Sequence, residues 1–257
     1  MGAPPAGWDT WGTDGNSRIR INDQRAVTGG SLASDGGSPQ STRAWFQQSV
    51  PADVSVTASV FADTLIPALV LARGSKLATP AASYYAASVV RGVEVKLLRV
   101  IDGTTTELGS VRTSTYLSGV WLEVSLTTQS DRQQVRVRRG DSGAWLNPFG
   151  SWQAEPAVAL SGRDTALRTA GQVGLGRVAS YAGSLYFDEV SVTPARVDLI
   201  APVVVGRVQA MRPAVRPGTL AGSVRLSAVV REAGKLERVE FFVDSALVGR
   251  PDARPFQ

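Results

Sequence analysis

GQVGLGRVASYAGSLYFDEVSVTP, from Gly171 to Pro194, is the stretch whose reading decides the fold. Gln172 to Val178 and Ser184 to Thr193 read as two strands, in which side chains face opposite sides with a two-residue period. Tyr181-Ala182-Gly183 between them is turn material. Working back toward the N-terminus, the same period recurs. Val54, Val56, Ala58 and Val60 alternate with Ser55, Thr57 and Ser59, and Val120, Leu122, Val124 and Leu126 alternate with Trp121, Glu123 and Ser125. Val135 and Val137 alternate with Arg136 and Arg138, and Ile19 and Ile21 with Arg18, Arg20 and Asn22. Arg43 to Val50 reads as another strand. Ala68 to Arg73 is apolar on both faces and is expected beneath a second sheet. Tyr84 to Arg91 and Val93 to Val100 read as a hairpin turning at Gly92, and Asp102-Gly103 marks a tight turn into Thr105 to Val111. Residues 1 to 17 and Ala26 to Gln40 read as turn and loop, and Gly140 to Asp164 as a looser segment. No window carries a 3.6-residue period. Many short strands separated by glycine turns predict an all-β fold, a two-sheet antiparallel sandwich.

Composition narrows the chemistry. The 257 residues suffice for one large β domain or two smaller ones, and 26 Gly and 14 Pro suit a turn-rich chain. The chain has no Cys and no His. Disulfides, thiolate zinc sites, imidazole bases and Ser-His-Asp triads are therefore excluded, which leaves carboxylates, hydroxyls and oxygen-ligated hard cations. Net charge is +5, and only Lys76, Lys96 and Lys235 among the 27 basic residues are lysine. Such a bias reflects the codon usage of a GC-rich genome. The Arg residues are scattered rather than blocked, so no nucleic-acid partner is expected. The longest apolar runs, Leu65 to Ala72 and Leu199 to Val205, fall well short of the ~20 residues of a spanning helix, and no membrane insertion is expected. MGAPPAGWDTWG lacks the basic and apolar regions of a signal peptide.

Three stretches carry a resemblance: SYYAASVVRGVEVKLLRVIDGTTTELGS (Ser83 to Ser110), WLNPFGSWQAEPAVALSGRDTAL (Trp145 to Leu167) and GQVGLGRVASYAGSLYFDEVSV (Gly171 to Val192). Together they resemble the concanavalin A-like lectin/glucanase jelly roll, more narrowly the laminin-G-like modules of bacterial extracellular proteins, over about Trp8 to Thr193. The resemblance implies two curved sheets whose concave face often binds glycans. It also implies a last strand, Phe187 to Val190, that pairs near the N-terminal one. After Pro194 the composition shifts. Ala201-Pro202-Val203, SVRLSAVVREAG from Ser223 and LERVEFFVDSALVG from Leu236 resemble the first half of a bacterial immunoglobulin-like domain. The expected organisation is a jelly roll over 1–194, a linker over 195–201 and a partial immunoglobulin-like domain over 202–257. Such modules imply a secreted or cell-surface setting, with the second module as a spacer.

Candidate chemistry is sparse. Laminarinase-type enzymes on this jelly roll carry Glu-x-Asp-x-Glu on one strand; here Asp188-Glu189 and the Glu237/Glu240 pair do not give that spacing, so no enzyme is expected and a glycoside hydrolase is the least favoured alternative. Strict alternation puts Asp188 with Tyr186, Val190 and Val192 on an apolar face. There a carboxylate needs hydrogen bonds or a cation. Related modules hold a structural calcium at this strand, and Asp9 and Asp14 are the oxygens that could join Asp188. The simpler alternative is that Asp188 accepts backbone N–H bonds or meets water at a bulge. For a polysaccharide or cell-surface glycan, the residues expected to line the site are Trp121, Tyr84, Tyr85, Arg136 and Arg138, since flat rings pack on sugar C–H faces. Trp145, Phe149 and Trp152 are expected to pin their loop to the sandwich. Arg139-Gly140-Asp141 spells RGD at a predicted hairpin tip. The competing reading is a structural subunit that self-associates through exposed strand edges.

Overall fold

The computed structural model describes residues 3–16, 18–34, 40–91, 94–195, 203–210, 224–231, 241–243 and 246–249. The chain divides into two compact units, residues 1–199 and 200–257.

The first unit is all β. Its strands are β1 (Trp8–Gly12), β2 (Ile19–Asn22), β3 (Ser31–Ser34), β4 (Thr42–Phe46), β5 (Val54–Ala62), β6 (Ala68–Ser75), β7 (Ser83–Val90) and β8 (Glu94–Ile101). They continue as β9 (Thr104–Arg112), β10 (Val120–Gln129), β11 (Arg132–Arg139), β12 (Trp145–Leu146), β13 (Trp152–Gln153), β14 (Leu160–Arg163), β15 (Gln172–Arg177) and β16 (Tyr186–Pro194). A seven-stranded front sheet runs β1-β4-β15-β6-β7-β8-β9. A nine-stranded back sheet runs β13-β12-β11-β10-β5-β16-β3-β2, with β14 alongside β11. Every pairing within the unit is antiparallel. This is the jelly-roll sandwich.

β15 and β16, the strands of the deciding stretch, do not pair with each other. β15 lies between β4 and β6 in the front sheet, and β16 between β5 and β3 in the back one. The turn between them therefore carries the chain from one sheet to the other. Three residues organise that crossing. Arg177 is buried to 1% exposure. Its guanidinium donates to the carbonyls of Tyr181 (2.6 Å) and Gly183, so it holds the crossing turn from inside. Leu185 and Phe187 enter the core.

Between the sheets lies one large apolar core. Val54, Val56, Ala58 and Val60 of β5, Leu122, Val124 and Leu126 of β10, and Val135 and Val137 of β11 face Val70, Ala87, Leu97 and Leu175 of the front sheet. β6 is buried on both faces, as its apolar sequence predicts, but the second layer is not a sheet. Leu69 and Leu71 point outward and lie under the β6–β7 connection, whose Leu77 and Ala82 join Trp45, Tyr84, Ala86 and Val100 in a second apolar cluster. The Asp102-Gly103 turn has positive φ at both residues (44° and 82°), the geometry of a tight two-residue hairpin. It sits against the same connection: Gly103 N donates to Ala82 O at 2.9 Å, and a Cβ on Gly103 would lie 2.6 Å from Pro80 O.

β1, β3 and β12–β14 lie where the sequence reads as turn or loop. They are two to five residues long and have no repeated alternation to announce them. Of the expected hairpin turn, Gly92 and Val93 lie outside the described residues. The second unit contains two antiparallel pairs: β17 (Val203–Ala210) with β18 (Val224–Arg231), and β19 (Phe241–Val243) with β20 (Ala246–Gly249).

Candidate functional site

The outer face of the front sheet carries a groove. Strand parity builds it. Trp8 of β1 faces the core, so Trp11, three residues on, faces out; Ala44 of β4 faces the core, so Arg43 and Trp45 face out. The β1–β4 register sets Trp11 opposite Arg43. β7 adds Tyr84 and Ser88, β8 adds Lys96, Leu98 and Val100, and β9 adds Thr105 and Glu107. Two cavities, of about 200 Å³ and about 360 Å³, lie along this face. They share Leu69, Tyr84, Val100, Thr105 and Val178 and form one continuous groove.

The end at β1 and β4 is built around Arg43. Its guanidinium lies over an indole, with the guanidinium carbon 4.1 Å from the centre of the Trp11 ring and 5.9 Å from that of Tyr84. Nη2 donates to Thr79 O at 2.6 Å, while Nε is buried and has no hydrogen-bond partner. Burial pushes the Arg43 pKa down, partly offset by the Tyr84 hydroxyl beside it. Burial likewise raises the Tyr84 phenol, and Arg43 pulls it back. At the other end Lys96 Nζ bridges two carboxylates, Glu94 at 3.2 Å and Glu107 at 3.4 Å, and Arg112 pairs with Glu94 at 2.8 Å. The hydrogen bond to Glu94 is the main reason that the Lys96 pKa is raised. Glu107 is lowered, first by its hydrogen bond to Ser110 and then by Lys96.

Of the expected glycan-lining residues, the structure brings only Tyr84 into this groove. Tyr84 and Tyr85 are adjacent in one strand and must point to opposite faces. Tyr85 is the inward one, fully buried, and donates from its hydroxyl to Asp164 Oδ1 at 2.6 Å. It is a structural residue and not a wall of the site. Trp121, Arg136 and Arg138 lie on the outer face of the back sheet, across the sandwich from Tyr84. Trp121 sits edge-on to Phe61 (5.1 Å between ring centres), and Phe61 edge-on to Tyr186 (6.4 Å). Arg25 covers both Phe61 and Tyr186, at 4.6 and 5.4 Å. Arg138 Nε donates to Gly143 O at 3.3 Å, and Arg136 stands opposite Ser125. The expected lining is thus split: Tyr84 faces out of the front sheet, Trp121, Arg136 and Arg138 out of the back sheet, and Tyr85 into the core.

The residues expected to hold calcium are each held by other partners. Asp188 lies on the outward face with Tyr186 and Ser59, because Leu185 and Phe187 take the core-facing positions. It is 8% exposed, and its oxygens accept backbone N–H bonds from Val27 (2.6 Å), Thr28 (3.1 Å) and Glu189 (2.8 Å). The register shifts between Asp188 and Ser191, and Glu189 has a φ of 48°, so the carboxylate caps a bulge. Asp9 accepts from Gln47 Nε2 at 2.9 Å on the front sheet, and Asp14 accepts from Asn16 N at 3.0 Å beyond the end of β1. Among the described residues no group of three or more acidic, His or Cys side chains gathers into a metal set.

The RGD tripeptide is closed on itself. Arg139 donates to both oxygens of Asp141, at 2.9 and 2.6 Å, and Asp141 is held down to about pH 2 by that contact. Asn147 organises the following loop: its Oδ1 accepts from Phe149 N and Ser151 N, both at 3.0 Å. Trp152 packs on the core, while Trp145 lies against Arg138, whose guanidinium carbon is 5.8 Å from the ring centre.

Trp11 and Arg43 are the site residues that sequence reading missed. Each belongs to a short segment, and they meet only through a pairing between residues far apart in the chain. The one local signal is the Asp9/Trp11 and Arg43/Trp45 alternation.

No protein-family model and no curated protein sequence matches the chain. Solved structures share its fold. The carbohydrate-binding module CBM66 from Bacillus subtilis aligns with a TM-score of 0.50 and 15% identity, over 72% of this chain and 94% of that one. A Bacillus subtilis protein of unknown function with a galectin-like fold aligns with a TM-score of 0.50 and 11% identity, over 74% and 90%. The exoplasmic/lumenal domain of VIP36, bound to calcium and Man3GlcNAc, gives a TM-score of 0.47 and 12% identity, over 75% and 85%. At these identities the likeness establishes the jelly roll and transfers no residue.

Proposed function

We propose that the first unit is a non-catalytic carbohydrate-binding module and that its ligand lies in the groove on the front sheet. The observation that carries this reading is the groove itself: ring faces and apolar side chains interleaved with hydroxyl and charged groups, the mixture that suits a saccharide's C–H and O–H faces. A CBM66 module of the same fold supports it. The state of the groove's carboxylates supports a binding role over hydrolysis. A glycosidase keeps one carboxyl protonated by raising its pKa. Here Glu94 and Glu107 are both tied to Lys96, and Glu107 is shifted downward. In this reading the protein works at a cell surface or after secretion, with the second unit as an immunoglobulin-like spacer.

A glycan array followed by calorimetry on the full chain tests the proposal. Wild type binds at least one glycan, and Trp11→Ala weakens that binding about tenfold or more, while Trp121→Ala leaves it within about twofold. Failure of wild type to bind any glycan sinks the idea. The Trp121–Phe61–Tyr186 row favours a second reading, in which the back sheet carries the ligand; the reversed pattern of losses identifies it. Edge pairing into a filament has less support. The outermost strands are β1 (5 residues), β2 (4 residues) and β13 (2 residues), together with β9, which carries a register shift and charged residues.

A further inference from the structure

We infer that the groove selects an acidic saccharide, whose carboxylate is received by Arg43 at the end formed by β1 and β4; this rests on the carbohydrate-binding reading above. Arg43 is the charged side chain facing that end from β4, and no described acid lines it. The opposite end is already neutralised, because Glu94, Glu107, Lys96 and Arg112 pair among themselves. The groove is therefore cationic at one end and balanced at the other.

Arg43 makes that end specific. It is 6% exposed, yet no described carboxylate pairs with it. A buried guanidinium ordinarily meets a counter-ion, because taking it out of water is costly. Trp11 compensates in part through its ring face, and Thr79 through one carbonyl. Nε is left without a partner. Nε and a terminal nitrogen of a guanidinium form one planar fork, which matches the two oxygens of a carboxylate. Around it stand the hydroxyl side chains of Thr13, Ser41 and Thr105, suited to the ring hydroxyls next to such a carboxylate. A uronic-acid unit combines both features in one sugar ring, whereas a neutral hexose leaves the fork unmatched.

The test compares the full chain's binding to oligogalacturonate and oligomannuronate with its binding to their carboxyl-reduced forms, and to dextran sulfate with dextran. The expected result is that one acidic oligomer binds at least about tenfold more tightly than its reduced form, and that Arg43→Lys, which keeps the charge and loses the fork, abolishes this preference. Arg163→Gln, which removes an exposed charge on the back sheet, leaves the preference in place. Should the Arg43 variant melt early, wild type alone decides: affinity for the acidic form falls as salt rises from about 50 to about 500 mM, while that for a neutral glycan holds. Equal binding of acidic and reduced forms overturns the inference and leaves the carbohydrate-binding reading intact. Preference for dextran sulfate without preference for either uronate overturns the carboxylate assignment. Binding to no glycan at all removes both readings.

Discussion

Arg177 and Tyr85 are among the largest side chains buried in the first unit, and both are polar. Arg177 ties the crossing turn by donating to the carbonyls of Tyr181 and Gly183. Replacing it with Met keeps much of the volume and strands those carbonyls. Arg177→Met is expected to cost about 2–4 kcal/mol in urea unfolding, the range for a lost buried charged hydrogen-bond set. Tyr85 holds the other end of the sandwich. Its hydroxyl donates to Asp164 and accepts from Leu167 N at 3.2 Å, and Arg99 donates to the second Asp164 oxygen at 2.6 Å. Burial, aided by the Asp164 bond, pushes the Tyr85 pKa up to about 12. A raised folded pKa means that this stability is complete below the unfolded value of about 10 and is lost as pH rises through the folded one. Stability is therefore expected to fall between about pH 10 and about pH 12, and Tyr85→Phe to flatten that fall. Absorbance titration checks it: wild type shows a phenol ionising near pH 12 that Tyr85→Phe lacks. At acid pH the sign reverses. Burial alone would raise the Asp164 carboxyl, but Tyr85, Ala166 N–H and Arg99 together hold it low. Its contribution is present above the ordinary carboxylate range and is lost as pH falls through the depressed value.

At the scale of the strand, β15 and β16 depend on features that hydrophobic alternation does not display. Gly174 of β15 sits between Trp45 and Leu71 in the sheet, and a Cβ there would lie 2.1 Å from Ala44 O. That atom is backbone and cannot swing away. Gly174→Ala is expected to cost about 3 kcal/mol or more, or to block folding, as read by thermal melting. In β16, Asp188 caps the bulge that re-aims the strand. Asp188→Ala leaves the N–H groups of Val27 and Thr28 without their acceptor and is expected to cost about 2–4 kcal/mol; Asp188→Asn, which keeps an acceptor oxygen, costs about half of that. If these bonds rather than a cation satisfy the carboxylate, millimolar calcium shifts the wild-type Tm by less than about 1 °C. Strands β5, β10 and β11 were legible in sequence because each buries one face along its whole length. The parity of Asp188 was not. Val190 lies within the register shift and Val192 beyond it, so alternation counted through them assigns the wrong face.

For the whole molecule, the apolar core, the groove and the crossing turn all lie within the first unit. A chain ending at residue 195 is expected to unfold cooperatively with nearly the wild-type Tm and to keep the glycan affinity of the full chain; circular dichroism melts and calorimetry check both. A noncooperative melt would show that the first unit draws stability from the rest of the chain.

The residue order alone determined the all-β class, the inward faces of the long strands, the Asp102-Gly103 hairpin and the absence of thiol and imidazole chemistry. Each of these follows from local periodicity, turn propensity or composition. Tertiary structure decided which strands share a sheet, and with that the site. Tyr84 and Trp121 both point away from the core, but toward opposite sides of the sandwich. Trp11 and Arg43 meet only because β1 pairs with β4. A strand's alternation tells which residues leave the core; only its pairing tells which other residues they meet outside it.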